Sequence, residues 1–167
     1  MAVNRGKQFE GVIEDCLKAV EQTSVIRLYD PQGGYSSVAN ICDYVVYRYP
    51  TQYLFECKSV HKNLLPIYGT DPKKKYGLIS NKQWEGMREI KECSPSTVAG
   101  VICWWIDHDV TRFIPIQVLQ EYYDKGNKSI RYDLEDDRII TLLGNKKRVF
   151  FDYDMQNLLD LARLKNF

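Results

Sequence analysis

A glutamate and a lysine interrupt an otherwise apolar stretch of the sequence, QYLFECKSV at residues 52–60. Side chains alternate between the two faces of an extended strand, so Glu56 and Lys58 share one face and Cys57 points to the other. A carboxylate and an amine are more costly to bury than Val or Ile. This strand therefore calls for a chemical explanation.

Asp43 supplies a second carboxylate, at the start of the preceding strand in NICDYVVYRYPTQYLFECKSV, residues 40–60. Pairing of the two strands, which join at YPTQ, can bring Asp43 near Glu56. A hard cation such as Mg²⁺ relieves the repulsion between neighbouring carboxylates, and a nearby lysine orients or deprotonates a water. The three residues suit metal-assisted attack on a phosphodiester. The alternative interpretation is an ordinary solvated ion pair, because short motifs often match by chance.

The elements that must position these residues follow from apolar periodicity and turn signals. The order of elements predicts an α/β fold with a mixed central sheet flanked by helices, in a single domain over 1–167. In chain order we predict a helix at 5–22, a strand at 25–30, a turn or loop at 31–37, the strand pair at 40–60, a surface loop at 61–79, a helix at 80–93, a buried strand at 97–106 with its hairpin partner at 110–116, a helix at 116–126, a hairpin around 144–147 and a helix at 154–167.

Composition excludes several classes of protein. The 167 residues are 44% hydrophobic and 27% charged, with a net charge of +1, so nucleic acid would have to bind a local patch. Five cysteines without a CxxC pair, and no apolar N-terminal signal, indicate reduced thiols in a cytoplasmic protein. Two histidines are too few for a zinc site, and no apolar run is long enough for a membrane span.

Several motifs resemble, in order, the PD-(D/E)XK nuclease superfamily and, more narrowly, the RecU-type Holliday junction resolvases. They are GKQFE at 6–10, Asp43, FECK at 55–58, NKQWEGM at 81–87, GNKSI at 126–130 and FFDYDMQNLLDL at 150–161. The resemblance implies a restriction-endonuclease-like fold. It also implies a Mg²⁺-dependent endodeoxyribonuclease, with Mn²⁺ able to substitute, that resolves Holliday junctions by paired symmetric nicks in DNA recombination and repair, in a bacterial or phage-infected cell.

The same resemblance implies the roles of the motif residues. Asp43 and Glu56 would be the metal ligands, helped by the backbone carbonyl of Cys57, and Lys58 would be the catalytic lysine. Glu10 matches a helix-borne acid used at the metal or its water, and Gln83 matches a polar residue near the site.

Two of these residues also have ordinary structural interpretations. Glu10 can be a first-turn acid favoured by the helix dipole, and Gln83 fits a capping box with Ser80. Basic residues beside the site are predicted to contact DNA phosphates, namely Arg5, Lys7, Lys73, Lys74 and Lys75, although a run of lysines is more often a solvated loop.

The resemblance has two departures. Residues 31–46 leave little room for the stalk of bacterial members, so the chain looks like a phage-type member with a shortened stalk, and its selectivity for junctions is left open. Cys42 stands where the superfamily has proline. A homodimer is expected from the symmetry of a four-way junction, and any partner helicase is unknown. The alternatives are a restriction- or repair-type endonuclease acting on duplex DNA, a DNA-binding module without catalysis, and an α/β interaction domain.

Overall fold

The computed structural model describes residues 5–29, 40–67, 79–148 and 150–165, which contain four α-helices, ten strands and one short 3₁₀ helix at Ile106–His108. The helices are α1 (Arg5–Lys18), α2 (Asn81–Cys93), α3 (Ile116–Asp124) and α4 (Met155–Lys165). The strands are β1 (Ser24–Arg27), β2 (Tyr44–Arg48), β3 (Thr51–Val60), β4 (Leu64–Pro66), β5 (Thr97–Trp105), β6 (Val110–Pro115), β7 (Ser129–Arg131), β8 (Ile140–Thr141), β9 (Gly144–Lys146) and β10 (Phe151–Tyr153).

Six strands form the central sheet in the order β1-β2-β3-β5-β6-β8. Strands β3 and β5 pair in parallel, and the other neighbours are antiparallel. The predicted α/β class, with a mixed sheet flanked by helices, is confirmed. Among the described residues, no helix combines the length and apolar character that crossing a lipid bilayer requires.

The helices cover the two faces of this sheet. Helices α1 and α4 pack on one face, with Phe9 and Leu159 in the same apolar cluster, and α2 and α3 pack on the other. Strand β3 is covered on both sides, because Phe55 and Cys57 belong to the first cluster and Leu54 to the second. A charged side chain on β3 is therefore placed inside the protein.

Helix α1 forms as its apolar spacing predicts, because Phe9, Ile13 and Leu17 recur every four residues and are all buried. It ends at Lys18, four residues before the predicted end. The start of α2 is fixed by a capping box: the Gln83 amide N–H donates to the Ser80 hydroxyl, and the Ser80 N–H donates to the Gln83 side chain.

Two local predictions are wrong. Residues 61–79 were expected to be loop, but Leu64–Pro66 forms β4 and pairs with β7, and Leu65 is fully buried. The late hairpin was expected to turn at 144–147, but Gly144–Lys146 is a strand that pairs with Phe151–Tyr153. Gly144 allows β9 and β10 to approach each other closely and does not form a turn. A Cβ at this position would lie 2.8 Å from the Asp152 carbonyl oxygen. The predicted turn at 31–37 lies outside the described residues.

Candidate active site

Asp43 directly precedes β2 and lies beside β3. Tyr44 is paired with Phe55, and the Asp43 N–H donates to the Phe55 carbonyl at 3.0 Å. The Asp43 carbonyl accepts from Leu28 N–H at 2.8 Å, which ties the same residue to β1. The Asp43 carboxylate accepts the Cys57 N–H at 2.7 Å. Main-chain and side-chain bonds thus hold Asp43 against the segment that carries Glu56.

Glu56 and Lys58 project from one face of β3, as the alternation of the strand predicts. Lys58 Nζ lies 2.5 Å from Glu56 Oε1, while Glu56 is only 1% exposed. The second oxygen, Glu56 Oε2, is buried without a hydrogen-bond partner among the described residues. Native proteins satisfy almost all buried polar atoms, so an unsatisfied carboxylate oxygen calls for a missing partner such as an ion.

The environment of Glu56 opposes its negative charge. The pKa of Glu56 is raised to about 7, because burial and the nearby Asp43 carboxylate raise it by more than Lys58 lowers it. The Gln83 side chain also lowers the pKa of Glu56, without satisfying Oε2. Two carboxylates that repel each other in a buried site are stabilised by a cation between them.

Cys57 contributes its main chain rather than its thiol. The thiol is buried in the apolar cluster of α1 and α4, and burial raises its pKa well above the usual value. The Cys57 N–H points to Asp43. Because the N–H and C=O of one residue in an extended strand point to the same side, the Cys57 carbonyl also lies on the Asp43 side of β3.

The donors at this site fit a hard cation. Within the described ranges, no three His, Cys, Asp or Glu side chains come close enough together to hold a metal ion. Asp43 and Glu56, with the Cys57 carbonyl, instead offer two carboxylates and one backbone oxygen. Mg²⁺ is commonly bound by one or two carboxylates together with waters and substrate phosphates. The unsatisfied Glu56 Oε2 is the observation that favours such an ion.

Glu10 lies in the second turn of α1, so the interpretation as a first-turn acid is wrong. Its carboxylate pairs with Arg27 at 2.8 Å. Burial raises the pKa of Glu10, the nearby Asp43 raises it as well, and Arg27 and Lys58 lower it. Glu10 is therefore within electrostatic range of Asp43 and Lys58, although it completes no group of metal-binding side chains in the described part of the chain.

Gln83 forms the predicted capping box, and its role at the site stays a prediction. Its side-chain oxygen accepts from the Ser80 N–H at 3.0 Å, which is the capping role. The same side chain is near enough to Glu56 to lower the pKa of that carboxyl. Helices α1 and α2 lie on opposite faces of the sheet, so Glu10 and Gln83 approach the end of β2 and β3 from opposite sides.

The predicted DNA contacts are spread more widely. Lys7 is exposed and close enough to Glu10 to lower its pKa, so it lies near the site. Arg5 lines a cleft of about 710 Å³ between α1 and the β9–β10 hairpin, which Asp43, Glu56 and Lys58 do not line. Lys73, Lys74 and Lys75 fall outside the described residues. The roles of all five basic residues stay predictions.

The sequence reasoning missed Arg27 and Tyr44. Arg27 bonds to Glu10, and the Tyr44 hydroxyl donates to the Glu10 carbonyl at 2.9 Å. The sequence carries no distinctive signal for either role, because a strand commonly contains an arginine or a tyrosine. The contacts become visible only when β1 pairs with β2 and α1 packs across them.

Comparisons with known proteins give likenesses among solved structures. No protein-family model matches the chain, and no curated protein matches it. Among solved structures, the chain is similar to Hjc of Archaeoglobus fulgidus, a Holliday junction resolvase from an archaeal hyperthermophile. The sequence identity is 21%, the match covers 67% of this chain and 78% of that chain, and the TM-score is 0.39. A likeness at this level assigns neither an activity nor a substrate to the chain.

Proposed function

We propose that the protein is a Mg²⁺-dependent endodeoxyribonuclease with a restriction-endonuclease-like fold. The observation that carries the proposal is the unsatisfied, buried Oε2 of Glu56 beside Asp43, with Lys58 on the other carboxylate oxygen. An unsatisfied oxygen on a buried carboxylate, next to a second carboxylate, favours a bound cation over a purely structural ion pair. A cation-binding carboxylate has this arrangement before the ion binds.

Asp43, Glu56 and the Cys57 carbonyl would hold the metal. When bound there, Mg²⁺ would supply Lewis acidity toward the phosphate and the attacking water. The Lys58 ammonium orients Glu56 through Oε1 and stabilises the negative charge that builds up on the phosphate. The water oxygen bonds to phosphorus in line with the leaving O3′ and gives up a proton to solvent, the P–O3′ bond breaks, and O3′ takes up a proton from solvent. The products are a 5′-phosphate and a 3′-hydroxyl.

Branched DNA is the proposed substrate, and resolution of a Holliday junction is the proposed reaction. This choice rests on the collinear sequence motifs that resemble RecU-type resolvases. Resolution requires two symmetric cuts, so the proposed active form is a homodimer with one site in each subunit. A restriction- or repair-type nuclease would keep the same site and cut linear duplex equally well.

The test is cleavage of a labelled synthetic four-way junction with Mg²⁺, next to a linear duplex with the same arms. Wild type is compared with Lys58→Ala and with Lys146→Ala, which removes an exposed lysine paired with Asp109. We expect paired symmetric cuts in the junction alone, lost only in Lys58→Ala. Equal cutting of both substrates would retain the site and reject junction selectivity. No cutting, or cutting that Lys58→Ala leaves unchanged, would reject the proposed function.

A further inference from the structure

We propose that Arg27 is a positioning residue that fixes the Glu10 carboxylate beside the Asp43–Glu56 pair but outside it. This inference rests on the proposed nuclease function. In this inference, Glu10 binds a water at the edge of the site, and Arg27 holds the Glu10 carboxylate in the position needed to do so.

Arg27 forms ion pairs with two acidic residues of α1. Its Nη2 donates to Glu10 Oε2 at 2.8 Å and its Nη1 donates to Glu14 Oε2 at 2.8 Å. The Arg27 side chain is 23% exposed, and those of Glu10 and Glu14 are 26% and 12% exposed. A planar guanidinium that bonds two carboxylates loses little further freedom when it fixes their positions. Glu14 therefore anchors the arginine that orients Glu10.

The main chain of Glu10 is held by the same strand pair. Arg27 is opposite Tyr44 in the β1–β2 ladder, and its guanidinium lies 5.7 Å from the centre of the Tyr44 ring. The Tyr44 hydroxyl donates to the Glu10 carbonyl at 2.9 Å, and Tyr44 is fully buried. Tyr44 directly follows Asp43 in the chain. The backbone and side chain of Glu10 are thus both tied to the residues around Asp43.

The position of Glu10 suits indirect action. Asp43 raises and Lys58 lowers the pKa of Glu10, so the Glu10 carboxylate interacts electrostatically with both residues. In the described residues it does not join Asp43 and Glu56 in a metal-binding group. A carboxylate held at the edge of such a site accepts a hydrogen bond from a water and orients it. A catalytic group misplaced by about 1 Å can lose most of its effect.

The competing explanation is that Arg27 only joins α1 to β1. The chain offers a matched control for that role, because Arg48 of β2 joins the sheet to α4 by pairing with Asp160 at 2.7 Å. Its side chain is 22% exposed, nearly the same as that of Arg27. Arg48→Gln removes a similar ion pair between a strand and a helix, away from Glu10.

The experiment compares wild type with Arg27→Gln, Glu10→Gln, the double variant Arg27→Gln/Glu10→Gln, Arg27→Lys and Arg48→Gln. Calorimetry measures Mn²⁺ binding to the DNA-free protein. Single-turnover cleavage of a four-way junction and of a duplex is then measured with Mn²⁺. Thermal unfolding of every variant shows whether it is folded. The metal-binding measurement does not depend on activity, so it separates positioning of Glu10 from loss of the metal site.

We expect Glu10→Gln to slow cleavage about 100-fold and Arg27→Gln about tenfold, with Mn²⁺ binding retained in both variants. The double variant should be no slower than Glu10→Gln, because Arg27 acts through Glu10. Arg27→Lys should keep part of the rate, since one ammonium cannot bond both acids in the same fork. Arg48→Gln should cleave like wild type.

Three results would overturn the inference while leaving the nuclease in place. One is cleavage by Arg27→Gln at the wild-type rate, and another is independent, multiplying losses in the double variant. The third is loss of Mn²⁺ binding in Glu10→Gln, which would make Glu10 a direct ligand. If Arg27→Gln unfolds, the rate of Arg27→Lys decides, and a wild-type rate rejects the inference. A wild-type protein that neither binds Mn²⁺ nor cleaves either DNA would reject the proposed function and the inference together.

Discussion

Two groups of charged residues in this protein look alike in sequence and differ in structure. At the surface, Arg138 bonds both oxygens of Glu121, at 2.6 and 2.8 Å, and both oxygens of Asp136, at 3.0 and 2.8 Å. Inside the sheet, Lys58 bonds one oxygen of Glu56 and leaves the other without a partner. The surface network is saturated, whereas the buried pair has an unused acceptor.

The difference shows what separates a structural ion pair from a candidate site. Exposed ion pairs contribute little to stability, and water compensates any bond they lack. A buried carboxylate has no such compensation, so an unused oxygen there is unfavourable unless something binds it. An unsatisfied oxygen under burial, together with the neighbouring Asp43 carboxylate, distinguishes Glu56 as the candidate functional group.

The largest expected loss of cleavage comes from a substitution that removes a charge at the site while the protein stays folded. Asp43→Asn keeps an oxygen that can accept the Cys57 N–H but loses the negative charge. We expect single-turnover junction cleavage to fall at least about 1000-fold, because metal affinity and charge stabilisation are both lost. Arg138→Gln, as the surface counterpart, should cleave within about twofold of wild type. Equal losses in both variants would remove the distinction between the two groups.

The second prediction concerns stability and pH. The pKa of Glu56 is raised to about 7 from a model-peptide value of 4.5, so the folded protein holds a proton that the unfolded chain releases between those values. Without metal, the free energy of unfolding should therefore fall as the pH rises through this window, by up to about 3 kcal/mol.

Glu56→Gln removes that titration. In EDTA near pH 8 we expect this variant to be more stable than wild type by about 1 to 3 kcal/mol, with the difference shrinking toward pH 5. Urea unfolding of both proteins at the two pH values measures it. A variant that is less stable than wild type at the higher pH would mean that the buried charge is already well compensated.

The smallest expected effect belongs to the surface network. Arg138→Gln should lower the midpoint of thermal unfolding by no more than about 4 °C, because ion pairs that are partly exposed to water are weak. Near 1 M NaCl the difference should largely disappear, since salt screens exposed charges. A larger decrease in the unfolding midpoint that does not depend on salt would show that these ion pairs are needed to hold the segment between α3 and β8 in place.

Much of the fold follows from local patterns in the sequence. Strand β5 is buried at every position, and its apolar run predicts this; Ser80 and Gln83 predict the start of α2 through their capping box. Strand β4 escapes prediction because it is three residues long and ends in proline. It exists only because β7, more than sixty residues later, pairs with it.

The candidate site also combines features that local sequence patterns predict with features that depend on long-range packing. Strand alternation predicts that Glu56 and Lys58 share a face and that Cys57 does not. The contact of Asp43 with the Cys57 N–H depends on strand register, which the sequence leaves open. The link from Arg27 to Glu10 depends on how α1 crosses β1, and such long-range packing has no local signature.

Calorimetric titration of Mn²⁺ into the DNA-free protein near pH 8 tests most directly whether the unsatisfied carboxylate is a metal ligand. Wild type is compared with Glu56→Gln, and with Glu121→Gln as the surface control. We predict that wild type and Glu121→Gln bind Mn²⁺ equally well and that Glu56→Gln loses at least about tenfold in affinity. Equal affinity in all three proteins, or no binding by wild type, would contradict the assignment of Glu56 to a metal site.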